Sequence, residues 1–69
     1  MGHYRKSYRP PAPESIKQAR LAAGLLQREM ADKMGVESRT YCRWERGETL
    51  MPEPEFRLFS VLFLEGGKK

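Results

Sequence analysis

One cysteine and one histidine are all that the 69-residue chain has of the residues that build disulfides, zinc sites and thiol nucleophiles. Cys42 has no second cysteine to pair with, and His3 alone leaves no constellation for a structural zinc or a Cys-His nucleophile. Long apolar runs are missing too. No uncharged stretch exceeds seven residues, as at Leu58 to Leu64, against the roughly 20 that a membrane span needs. The N-terminus lacks the apolar region of a secretory signal. No base, nucleophile and orienting group recur at workable spacing, so no enzyme, metal or cofactor is expected. These absences predict a soluble, cytoplasmic protein, complete from Met1 and without a membrane partner.

Acidic residues are absent from the first 13 positions, where Arg5, Lys6 and Arg9 stand. Residues 14 to 64 balance eight bases against eight acids, so the formal charge of +4 belongs to the ends of the chain. A neutral body with basic extensions suits an anionic partner such as nucleic acid, although short basic tails also serve solubility. At this length the chain forms one small domain and buries only about 60% of the surface it exposes when unfolded. A self-association surface is therefore worth seeking.

The punctuation of the chain predicts four helices and no strand, an all-α domain. Residues 1–12 mix rings, bases and the Pro10-Pro11 pair and read as a flexible basic arm. The helical domain follows over residues 13–65, with 66–69 a disordered tail. Pro13 suits the first turn of helix 1, which is expected to run to about Ala23 before Gly24 stops it, with Ile16, Ala19, Ala22 and Ala23 on its inner face. Helix 2, Gln27 to Met34, puts Met30, Met34, Ala31 and Gln27 on one side and Arg28, Glu29, Asp32 and Lys33 on the other. Gly35 ends it, with Val36 as an apolar plug.

Helix 3, Ser38 to Arg46, has two opposed faces. Thr40, Tyr41 and Trp44 share one side; Ser38, Arg39, Cys42, Arg43 and Arg46 share the other, which presents three arginines. Helix 4, from about Pro54 to Leu64, puts Phe56, Leu58, Phe59, Leu62 and Phe63 on an arc of about 160° and leaves Val61 and Leu64 outside it. Two uncovered aliphatics are ordinary on a surface, but the domain is too small to cover them and a symmetric second copy would. A homodimer through Val61 and Leu64 is expected.

Helix 2, a glycine turn and a basic-faced helix 3 are the parts of a helix-turn-helix. The strings Gly24-Leu25-Leu26-Gln27, Met30-Ala31, Met34-Gly35-Val36 and Arg43-Trp44-Glu45-Arg46-Gly47-Glu48 closely resemble the lambda-repressor-like (Cro/C1, XRE) family. The resemblance runs from Ile16 to about Leu64. It implies that Gln27 touches a DNA phosphate at the start of helix 2, that Ser38, Arg39 and Arg43 face base edges, and that Arg20 and Glu45 form a partly buried ion pair. It also implies double-stranded DNA as partner, with a palindromic operator and a repressor as the expected setting. An antitoxin that also binds a toxin protein, or a phage or mobile-element regulator such as an anti-CRISPR-associated repressor, are the alternatives.

Two positions depart from the family pattern. Leu26 and Glu37 stand where helices 2 and 3 want capping residues; Leu26 has no capping oxygen, at a cost of about 1 kcal/mol. Glu37 beside a duplex either repels phosphate or accepts from a cytosine amine. Other residues carry two readings each. Gln27 is a phosphate ligand or a plain helix start, and Arg28, Arg39, Arg43 and Arg46 are DNA contacts or a solvated face. Cys42 on the outer face permits close approach rather than redox chemistry. Arg5, Lys6 and Arg9 follow the groove or remain free, and Tyr41, Trp44, Met30 and Met34 are core.

Overall fold

The first helix, α1, spans Pro13–Ala22, α2 Gln27–Met34, α3 Ser38–Arg46 and α4 Glu53–Phe59, and α4 continues directly into a wider π-type stretch over Ser60–Glu65. The computed structural model describes residues 8–65, with side chains through Phe63, and holds no strand among them. Arg5, Lys6, the 66–69 tail and the side chain of Leu64 lie outside the described residues.

One form of chain reversal ends each of the first three helices. The Gly24, Gly35 and Gly47 N–H groups donate to the carbonyls of Leu21, Asp32 and Trp44 at 3.0, 3.1 and 3.2 Å. The following Leu25, Val36 and Glu48 N–H groups reach back to Arg20, Ala31 and Arg43 at 3.2, 3.0 and 2.9 Å. This paired bonding is the Schellman end, which satisfies carbonyls that a helix otherwise leaves open. At the turn between α2 and α3 it requires Gly35 at φ 70°, a conformation that a Cβ disfavours. Val36 then tucks against the core.

The core takes Ile16 from α1, Met30, Ala31 and Met34 from α2, Tyr41 and Trp44 from α3, Met51 from the α3–α4 loop and Phe59 from α4. Tyr41 and Trp44 meet edge to face with centroids 6.0 Å apart. The α2 helix packs on α3 and α4, α1 packs on α3, and the π-type stretch returns to α1.

Three expectations need correction. On α1, Ala22 and Ala23 are exposed, lining an open groove between this end of the helix and the π-type stretch. On α4, only Phe56, Phe59 and Phe63 turn inward, and Leu58 and Leu62 stand outside. Leu62 follows Phe59, where the wider π-type turn advances less than about 100° per residue, and Leu58, in the regular part of α4, stands about 100° from Phe59, outside the narrower stripe that the core covers. Finally, the arm does not remain clear of the body up to residue 12. The Tyr8 hydroxyl donates to the Met51 carbonyl at 2.6 Å, and its ring lies 5.8 Å from that of Phe56. Tyr8 thereby extends a row of rings, Phe56 to Phe59 at 6.2 Å and Phe59 to Phe63 at 5.7 Å.

Candidate nucleic-acid interface

The outer face of α3 is fixed by what its inner face grips. Tyr41 and Trp44 are buried, and Ser38, Arg39, Arg43 and Arg46 on the opposite side are exposed, with Cys42 half-buried between them. Glu37, the N-cap of α3, makes no side-chain cap, and the first turn that follows it contains no acid. The exposed Arg28 and Glu29 lie at the start of α2 beside Gln27.

One carboxylate ties the three helices together beneath this face. Glu45 accepts from Arg20 through Nε to Oε2 at 2.7 Å and Nη2 to Oε1 at 3.2 Å, from Gln27 Nε2 at 3.0 Å, and from the Tyr41 hydroxyl. Arg20 also donates from Nη1 to the Leu25 carbonyl at 3.0 Å, which holds α1 to the turn before α2. The pair is well sheltered, with the Arg20 and Glu45 side chains 12% and 5% exposed.

Burial by itself would raise the Glu45 carboxyl, but the hydrogen bonds from Arg20, Tyr41 and Gln27 outweigh it and hold the group below the usual carboxylate range. Arg20 moves the other way, upward, chiefly through its hydrogen bond to Glu45. Burial, then the bond to Glu45, pushes the Tyr41 hydroxyl far up, so it remains a donor at neutral pH. No buried side-chain polar atom among the described residues lacks a partner.

Gln27 is therefore held in place by Glu45. As the first residue of α2 it uses one amide hydrogen on Glu45, and the second hydrogen stays available. Leu26 makes no side-chain cap, and the helix start is completed from the other direction, with Glu29 accepting the Leu26 N–H at 2.8 Å.

Two residues near the site were missed in the sequence. Glu48, just past α3, lies 3.3 Å from Arg46 Nη1 through Oε2 and 3.9 Å from Arg43 Nε through Oε1. Its charge was visible, but only the Schellman turn brings it back over α3. Tyr8 is the other: a ring among prolines gives no signal of what it will cover. Arg39 and Arg28 form no ion pair among the described residues, and Arg9 is exposed. Val61 is 56% exposed, in line with Leu58 and Leu62. No helix is long and apolar enough to cross a membrane, and no group of three His, Cys, Asp or Glu gathers, both among the described residues.

A family model described as helix-turn-helix aligns with residues 16–56, more than half of the chain and the whole of α2, the turn and α3. A search of curated proteins finds no match.

Proposed function

From its membership of the Cro/C1-type (XRE) helix-turn-helix family, DNA-binding transcription regulators to which this chain belongs, we propose that it is a sequence-specific repressor. It would bind a palindromic operator as a homodimer, with α3 in the major groove. The observation that carries this reading is the division of α3: two buried rings fix one side while Ser38, Arg39, Arg43 and Arg46 face outward from the other. Arginine is the commonest reader of guanine in the major groove. Occluding a promoter needs no surface beyond the DNA-binding one. Such a regulator works where the DNA is, which we take to be the cytoplasm.

Homodimerisation has its own support. The nine-residue α3 is about 13 Å long at 1.5 Å per residue and reaches only a few base pairs, whereas a two-fold dimer reads two half-sites about 34 Å apart. Leu58, Val61 and Leu62 form an exposed apolar face at helical spacing. Beside it an open groove of about 610 Å³ runs between α1 and the π-type stretch, floored by Ala19, Ala22, Ala23 and Phe63. Leu64, the other residue expected there, extends the same stretch. Val61→Lys is expected to abolish cooperative occupancy of two half-sites in a footprint titration while single half-site affinity is kept. Cooperativity that survives the substitution moves the dimer surface elsewhere, to the exposed Leu50 of the α3–α4 loop first.

The test of the whole reading is selection from a random duplex pool, followed by titration of the selected sequence against salt. A palindromic consensus is expected, with log affinity falling steeply against log salt as the basic side chains of each protomer displace counterions from several phosphates. Removing residues 1–7, and with them Arg5 and Lys6, should flatten that slope. Tyr8 must be kept, because its loss would uncover Met51. Failure to enrich any sequence, or binding indifferent to salt, rejects the reading. A stoichiometric partner of different sequence copurifying with the chain would favour the antitoxin alternative.

A further inference from the structure

The loop that ends α3 places an acid against the basic face that the proposed function depends on. Glu48 is no free loop residue: its N–H is bonded to the Arg43 carbonyl at 2.9 Å and the Gly47 N–H to that of Trp44 at 3.2 Å. Gly47 is packed as well as bonded, since a Cβ there would come within 3.3 Å of Pro13 Cγ, and its φ is 77°. The backbone thus aims the Glu48 side chain back along α3. There the carboxylate meets Arg46 at 3.3 Å and stands 3.9 Å from Arg43.

The position is electrostatically adverse for an acid. The C-terminal end of a helix carries partial negative charge and favours cations. The two arginines supply the compensation, so in the free protein part of their charge is already committed. All three side chains are nevertheless open to solvent, Arg43 50%, Arg46 65% and Glu48 49% exposed. An exposed pair of this kind is weak enough for a phosphate to displace.

We propose that Glu48 is a built-in competitor for the DNA phosphate: it masks Arg46, and in part Arg43, until a duplex takes its place. This rests on α3 being the DNA-facing helix. The masking lowers what Arg46 contributes on any backbone, so arbitrary DNA is held less tightly than the arginine count of α3 suggests.

A double-mutant cycle read in DNA affinity tests it, using Glu48→Gln, Arg46→Gln and their combination on an unrelated duplex and on the selected one. Glu48→Gln is expected to tighten binding to the unrelated duplex by about 2- to 5-fold, the weight of an exposed ion pair, and to steepen the salt slope by up to about 0.9. Arg46→Gln should then cost several-fold more affinity in the Glu48→Gln chain than in the native one. Melting temperatures should remain close to native, because the residues are exposed.

If Arg46→Gln costs the same in both chains, Glu48 acts only as a distant like charge and the masking idea is overturned. If Glu48→Gln weakens the selected site instead, Glu48 braces Arg43 for its base, which also overturns it. Should the native chain bind no duplex, the DNA reading falls first, and that is seen before any variant is made.

Discussion

A chain carrying Arg20→Met is expected to be largely unfolded at neutral pH, whereas the Arg20→Met, Glu45→Gln double variant should recover much of the lost stability. In the single variant the Glu45 carboxylate stays 5% exposed, retains donors only from Gln27 and Tyr41, and has lost its counter-charge. Removing one partner of a buried pair costs about 3–5 kcal/mol. A domain of this length holds only about 3–10 kcal/mol in all, so one substitution consumes a large share. Glutamine at 45 removes the stranded charge and still offers a carbonyl to Gln27 and Tyr41. Urea denaturation of the four chains gives the coupling, expected at about 2 kcal/mol or more. Costs that add to within about 0.5 kcal/mol would show that the pair does not clamp the helices.

The same pair fixes the sign of a pH dependence. Glu45 has a lowered pKa in the folded protein, so its stabilisation is fully present above the unfolded value of about 4.3 and is lost as pH falls through the folded one. Without Arg20, burial dominates and the carboxyl rises above its unfolded value. The Arg20→Met chain should therefore gain stability on acidification from pH 7 towards 5, while the native chain stays flat there and weakens only below about 4.3. Parallel profiles for the two chains over that range would mean that Arg20 does not set the ionisation of Glu45.

What the sequence shows of this fold is what local chemistry decides. Gly24, Gly35 and Gly47 stop three helices where a left-handed residue is needed, and the faces of α2 and α3 follow from α-helical spacing because both helices keep it throughout. Beyond Phe59 the spacing changes, and nothing in Ser60-Val61-Leu62-Phe63 announces the wider turn that leaves Leu62 outside; Leu58 lies in the regular part of α4, where spacing alone does not say how wide the buried stripe is. Ala22 and Ala23 carry helix propensity and small apolar character wherever they stand, so their exposure depends on where α4 returns. The Arg20–Glu45 contact is 25 residues long in sequence and rested on the family resemblance, with helical angles adding only that both residues border an apolar face. Glu48 and Tyr8 act across turns, where the sign of a charge or the presence of a ring is readable and its direction is not.

Among the outward side chains, Arg43 should carry the most sequence information. It lies nearer the N-terminal half of α3, the part that enters the groove in this docking mode, than Arg46 at the last position of the helix. Its neighbours on that face, Ser38, Arg39 and the small, half-buried Cys42, leave room for a long side chain to reach a base edge. Its ion pair to Glu48 is the longer of the two, 3.9 against 3.3 Å, and approaches Nε, so both terminal nitrogens of the guanidinium remain for a bidentate contact to guanine. Arg43→Ala is expected to cost about 1–3 kcal/mol on the selected duplex and to relax preference at one position of each half-site. Arg46→Ala should weaken all duplexes alike and lower the salt slope by less than the about 0.9 of a full phosphate contact, since Glu48 already masks part of its charge. Repeating the duplex selection with each variant separates the two roles. If the consensus from Arg43→Ala is as sharp at every position as the native one and only affinity drops, Arg43 is a backbone contact. Base reading would then pass to Arg39, which forms no ion pair among the described residues, and α3 would sit in the groove by its first turn alone.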